Sequence, residues 1–94
     1  MRGVGDYAVV YDISSDRERA KVDKLLLGFG FRIQKSVFEC RLDRKAKEEL
    51  IRRLERLSLK TGFVKVYKLE YQSRSHIIGV QKGKNPDGQA AFII

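Results

Sequence analysis

Asp12 closes an apolar run, Tyr7-Ala8-Val9-Val10-Tyr11, and Ile13-Ser14-Ser15 follow it. A carboxylate between a strand's end and a helix's start has three uses: holding a divalent cation, orienting a backbone amide, or facing water. One carboxylate alone is a poor magnesium site, because that ion is bound through one or two carboxylates plus waters and substrate phosphates. A second copy of the chain across a two-fold axis would remove the shortage, since one residue then supplies two ligands. Arg19 and Arg32 are candidate phosphate ligands, because a guanidinium fork matches phosphate oxygens, although a solvated surface charge is the commoner role for either. Strand alternation turns Tyr11 away from Asp12 and makes it core rather than a catalytic phenol. Phe38 would stack on a base if exposed, but it alternates with Cys40 and Leu42 and so belongs to the core.

The elements that must position these groups are legible in the spacing. Residues 7–11 read as a central strand buried on both faces. Ser15-Asp16-Arg17-Glu18 has the spacing of a capping box, with Ser15 accepting from a first-turn amide and Glu18 reaching back. Val22, Leu25, Leu26 and Phe29 then form one apolar helix face, and Gly28 and Gly30 end it by supplying the left-handed conformation of a C-cap. Two alternating segments follow, Phe31–Lys35 and Val37–Leu42, and Lys35-Ser36 must turn between them as a tight hairpin. Asp43 caps a second helix running to about Leu59, with Ala46, Leu50, Ile51, Leu54 and Leu57 facing the core. Thr61-Gly62 stops it, and Phe63–Leu69 reads as the next strand.

The order is βαββαβ, an α+β ferredoxin-like plan of four antiparallel strands with two helices on one face. Residues 1–94 form a single domain. Ile77–Val80 offers a short fifth strand, the stretch around Asn85-Pro86-Asp87-Gly88 is a loop, and Ala90–Ile94 is too apolar for an unattached tail. The extension 71–94 is therefore expected to cover a sheet edge, in its own protomer or in a second one.

Lys and Arg number 20 against 12 acids, a net charge of +8, which favours an anionic partner with nucleic acid first. The second helix and the residues beside it concentrate this excess: Arg44, Lys45, Lys47, Arg52, Arg53, Arg56 and Lys60 face only Glu48, Glu49 and Glu55. The single cysteine, Cys40, excludes an internal disulfide and a multi-cysteine zinc site, and it reads as a buried hydrophobe. The one histidine, His76, lies far from it in sequence. There is no glycine-rich phosphate loop and no aromatic RNA-platform motif. No segment has the length of a membrane span and the first residues lack the apolar stretch of a signal peptide, so a cytoplasmic protein with no membrane partner is expected.

Taken together, Val10-Tyr11-Asp12-Ile13-Ser14, then Arg17, Arg19, Lys21 and Val22, then Gly30-Phe31-Arg32-Ile33-Gln34-Lys35-Ser36-Val37-Phe38-Glu39 resemble the CRISPR-associated protein two family. These are small proteins of the CRISPR adaptation machinery. The match is dense from Tyr7 to Leu42, rests on pattern from Asp43 to Leu69, and is loose beyond Glu70. The resemblance implies a ferredoxin-like homodimer in which the C-terminal strand completes the partner's sheet. It also implies that Asp12 from both protomers holds one Mg2+ or Mn2+ ion, for metal-assisted hydrolysis of single-stranded RNA or duplex DNA. By motif position Tyr11, Arg19, Lys21, Arg32 and Phe38 correspond to residues implicated beside Asp12 in the family's nucleases, which makes Tyr11, Arg19, Arg32 and Phe38 expected catalytic residues with Asp12; Lys21 stands where some members have arginine. Arg17 and Lys21 of the first helix, with Arg44, Lys45, Arg52, Arg53 and Arg56 of the second, are the expected nucleic-acid contacts. The alternative from the same resemblance is a non-catalytic dimer that holds DNA for the CRISPR-associated integrase. An unrelated ferredoxin-like regulatory or RNA-binding domain is a third reading, since a fold does not fix a function.

Overall fold

The computed structural model of the protein describes residues 3–70 together with 76, 78 and 79. Its elements are β1 (Gly5–Ile13), α1 (Asp16–Leu27), β2 (Gly30–Gln34), β3 (Val37–Leu42), α2 (Arg44–Arg56) and β4 (Gly62–Leu69). The sheet order is β2-β3-β1-β4, with each neighbouring pair antiparallel. The ferredoxin-like α+β plan expected from the spacing is the plan observed. Of the expected C-terminal extension only His76, Ile78 and Gly79 are described, and none of the three is in a strand; the remainder of 71–94 lies outside the described residues. Among the described residues no helix is long and apolar enough to cross a membrane.

One face of the sheet carries the core. Tyr7, Val9, Tyr11 and Ile13 of β1 and Phe38, Cys40 and Leu42 of β3 meet Val22 and Leu26 of α1 and Leu50 and Leu54 of α2. Burying side chains of this size stabilises a fold by about 1.5–3 kcal/mol each before the entropy of ordering is subtracted. The expectation that β1 is buried on both faces is corrected. Ala8 and Val10 are half-buried and Asp12 is exposed, because the helices among the described residues cover one side of the sheet only.

The open face has its own character. Cross-strand pairs place Asp12 beside Phe63, Val10 beside Lys65 and Val37, and Ala8 beside Tyr67 and Glu39. Phe31, Phe63 and Tyr67 are each about half exposed there, at 52%, 53% and 47%. An uninterrupted apolar run in β1 thus encodes a helix-covered face and a second apolar face that the described residues leave uncovered.

Capping follows the sequence in part. Ser15 accepts from the Glu18 amide at 3.1 Å and Asp43 accepts from the Ala46 amide at 2.7 Å, so both predicted N-caps form. Gly28 is not a left-handed cap; its φ of −82° is right-handed, and its amide donates to Leu25 and Leu26 carbonyls. The need for glycine lies at Gly30, where a Cβ would stand 2.1 Å from the Glu39 carbonyl oxygen as β2 closes on β3. The second helix ends at Arg56, earlier than its apolar spacing suggests, because Ser58 takes a left-handed φ of 50° and turns the chain toward β4. The hairpin turns at Lys35-Ser36 as expected, but a register shift between Arg32 and Gln34 breaks the regular pairing. Phe31 consequently shares the open face with Glu39, and Arg32 lies on the helix side over Phe38, the reverse of an apolar-inward β2.

Candidate metal and phosphate site

Asp12 stands at the last rung but one of β1, on the open face, with neither a hydrogen bond nor an ion pair to its carboxylate among the described residues. Its backbone is held closely. Gly62, paired with Ile13, approaches so near that a Cβ there would lie 1.9 Å from the Asp12 carbonyl oxygen and 2.7 Å from the Ile13 Cα. Any side chain at position 62 would push β4 away from the end of β1 and take Phe63 out of register with Asp12.

The chain just after Asp12 is held from two directions. Arg19 Nη1 donates to the carbonyl oxygens of Ile13 at 2.8 Å and Ser14 at 3.3 Å, while its Nη2 pairs with Asp16. Arg19 is therefore occupied as a strap between α1 and β1. From the other side the Ser14 amide donates to the Thr61 carbonyl at 3.0 Å and the Ser15 amide to Thr61 Oγ1 at 3.0 Å. Glu18 does not reach back to its own cap. Its carboxylate accepts from the Lys60 amide at 2.9 Å, the Thr61 amide at 3.0 Å and the Thr61 hydroxyl at 2.6 Å. These bonds, with the Thr61 hydroxyl foremost, hold the Glu18 carboxyl below its ordinary pKa.

Tyr11, Arg32 and Phe38 gather on the opposite, helix-covered face. The Tyr11 hydroxyl donates to Asp23 and lies 3.1 Å from the Lys35 carbonyl oxygen. Arg32 Nη1 donates to that same carbonyl at 2.8 Å, and its Nη2 stands 3.2 Å from Asp23 Oδ2. The Arg32 guanidinium carbon sits 5.0 Å from the centre of the Phe38 ring, which has no exposed surface. Burial first, and the neighbouring Asp23 second, push the Tyr11 phenol up to about 12. These three residues of the motif form one cluster, and Asp12 lies outside it, across the sheet.

Basic side chains line α2. Arg44 pairs with Glu48 at 3.8 Å, Arg53 Nε pairs with Glu49 at 2.8 Å, and Arg52 shares Glu49. Arg53 also lies 5.8 Å from the Phe29 ring centre. Lys45 and Arg56 are exposed and carry no ion pair among the described residues, as are Arg17 and Lys21 on α1. Exposed pairs of this kind are worth little and leave the positive field largely intact.

Residues that sequence reasoning missed are Asp23, Thr61 and the long-range use of Glu18. Asp23 adjoins the apolar helix face, next to Val22, which was a usable signal. Thr61-Gly62 announced only a helix stop, and nothing in its composition shows that all three polar backbone and side-chain groups of Thr61 bond to the start of α1.

As a metal ligand Asp12 fits in kind and falls short in number. An exposed carboxylate without a competing cation suits a hard ion such as Mg2+ or Mn2+. Among the described residues no three His, Cys, Asp or Glu side chains converge on a metal site.

Comparison with known proteins follows the same residues. Residues 6–77 match the model of CRISPR associated protein Cas2. The chain is 39% identical over 61 residues to the CRISPR-associated endoribonuclease Cas2 of Mycobacterium tuberculosis, an alignment covering 65% of this chain and 54% of that one. It is 37% identical over 91 residues to the CRISPR-associated endoribonuclease Cas2 1 of Chloroflexus aurantiacus, covering 94% of this chain and 98% of that one. The crystal structure of a hypothetical protein from Thermus thermophilus superposes with a TM-score of 0.76 at 40% identity, covering 84% of this chain and 95% of that one. The chain spans about half the length of several curated relatives it matches, the Mycobacterium protein among them. The matched span runs through β1 with its exposed Asp12, the Tyr11–Asp23–Arg32 cluster and the basic α2, and on that span the chain belongs to the CRISPR-associated protein Cas2 family.

Proposed function

We propose that this chain is half of a two-fold symmetric, metal-dependent endonuclease of the CRISPR adaptation machinery, acting on phosphodiester bonds of RNA or DNA. The observation that carries this reading is the exposed Asp12 carboxylate, which among the described residues is unpaired and set in an uncovered sheet face with Val10, Phe63 and Tyr67. A second copy laid on that face buries apolar surface and brings a second Asp12 to the first. A shallow cleft of about 360 Å3 between α2 and β4, lined by Ile51, Leu54, Leu59, Val64 and Val66 with Glu55, supports a further contact in which the apolar C-terminal residues cover the β4 edge.

In this reading the two Asp12 carboxylates hold one Mg2+ or Mn2+, which when bound supplies a Lewis acid and lowers the pKa of water. The protein's own groups do the rest. Basic residues of α1 and α2, among them Arg17, Lys21, Arg44, Lys45, Arg52, Arg53 and Arg56, bind and orient the phosphate backbone. Arg19 sets the carbonyls that follow Asp12, and Tyr11, Arg32 and Phe38 stiffen β1 from behind. None of these last four needs to touch the substrate.

One observation favours a second reading, a non-catalytic dimer that holds duplex DNA for the CRISPR-associated integrase. Tyr11, Arg32 and Phe38, which the motif places with Asp12, lie on the other side of the sheet from it. A cleavage panel of RNA and duplex DNA, with and without Mg2+, separates the two. Cutting by the purified wild type that Asp12→Ala abolishes supports the nuclease. Equal nucleic-acid binding by both proteins with no cutting by either supports the scaffold.

A further inference from the structure

The start of α1 is capped by a residue that is distant in sequence. In a capping box the acid at the third helical position returns to the amide of the N-cap residue. Here the Ser15 amide bonds Thr61 Oγ1 at 3.0 Å, and the same hydroxyl donates to Glu18 Oε1 at 2.6 Å. Thr61 is thus inserted between the two halves of the box, and its hydroxyl both accepts and donates. Its amide and carbonyl are used as well, toward Glu18 at 3.0 Å and Ser14 at 3.0 Å. The Lys60 amide adds a bond to Glu18 Oε2 at 2.9 Å.

The next two residues carry this connection to Asp12. Gly62 pairs with Ile13 and Phe63 pairs with Asp12, so the strand end is held rung by rung from Thr61 onward. Strand ends without such ties open locally at low cost. A ligand-bearing carboxylate at a strand end needs the reverse, since partners that orient a metal ligand strongly affect affinity.

We propose that Glu18 and Thr61 are positioning residues for Asp12: their composite cap fixes the direction in which β1 presents the carboxylate. The consequence for metal rests on the function proposed above, and the fixing of the strand end does not. Glu18→Gln replaces one acceptor oxygen with an amide that faces an N–H donor. Thr61→Val removes the hydroxyl at constant shape, and Thr61→Ser keeps it.

The test is residue-resolved amide exchange on the full chain, with Mn2+ titrated into the same proteins. Glu18→Gln and Thr61→Val should speed exchange at Ser14 and Ser15 by about tenfold while Tyr7 and Val9 stay protected. Mn2+ affinity should fall roughly tenfold or more, and Thr61→Ser should restore both. Faster exchange with no Mn2+ bound even by the wild type upholds the positioning role and removes the metal reading. Unchanged exchange at Ser14 and Ser15 overturns the proposal. So does a uniform acceleration along the whole of β1, because the cap would then serve general stability.

Discussion

Arg32 Nη2 stands 3.2 Å from Asp23 Oδ2, joining the edge strand β2 to the middle of α1. Through that pair the Tyr11 hydroxyl, the Lys35 carbonyl and the Phe38 ring become one connected cluster behind the strand that carries Asp12. Both charges are partly exposed, at 39% and 30%, so their attraction is screened and the hydrogen bonds matter more than the ion pair.

Asp23→Asn should therefore cost about 1.5 kcal/mol, the low end for hydrogen bonds to a charged group. Asp23→Leu should cost about 2 kcal/mol by removing the carboxylate that both the Tyr11 hydroxyl and the Arg32 guanidinium engage. Urea unfolding monitored by circular dichroism measures both. Equal stability of wild type and Asp23→Leu would show that the cluster is not held through Asp23.

Alkaline pH should act through Tyr11. Its phenol is raised from 10.0 to about 12 by burial and by Asp23, so the folded state keeps a proton that the unfolded state gives up. The stability this contributes is full below pH 10 and is lost as pH rises toward 12. An ultraviolet titration of the phenolates should show a step near pH 12, and Tyr11→Phe should remove it.

Gly62→Ala tests the close approach that places Asp12. The added methyl would fall 1.9 Å from the Asp12 carbonyl oxygen, a backbone atom with little room to yield. A loss on the order of 3 kcal/mol is expected, as for overpacked cores, with lost β1–β4 amide protection near Asp12. Gly3→Ala, where nothing lies within 4 Å of the added carbon but φ is +102°, should leave that protection unchanged.

Arg52, Arg53 and Arg56 crowd the last turns of α2, and Glu49 engages only the first two. Reversing all three to Glu should weaken nucleic-acid binding and flatten the dependence of log affinity on log salt by about two to three. Filter binding across a salt series measures the slope. An unchanged slope would place the phosphate contacts away from α2.

Local signals explain what the sequence disclosed. Ser15 and Asp43 are legible as caps because an N-cap bond spans three residues, and Lys35-Ser36 because two alternating runs leave nowhere else to turn. Asp12 is legible as an oddity because a charge ends an apolar strand. What stayed hidden is non-local. Glu18 looked satisfied by its own cap, whereas its partners lie 42 and 43 residues away. The face taken by Arg32 depends on a register shift in an edge strand, where a long aliphatic stem can cross a ring and still show its guanidinium to water. The open face was hidden for another reason: the apolar pattern of β1 counts faces to be covered and is silent on whether the cover is in the same chain.

In the proposed dimer two chains share one ion through Asp12. Calorimetric titration of Mn2+ into the wild type and Asp12→Asn, with mass measured in the same buffer, tests it directly. One ion per two chains, lost in Asp12→Asn while the dimer persists, is the predicted result. One ion per chain, or undiminished binding by Asp12→Asn, would contradict it.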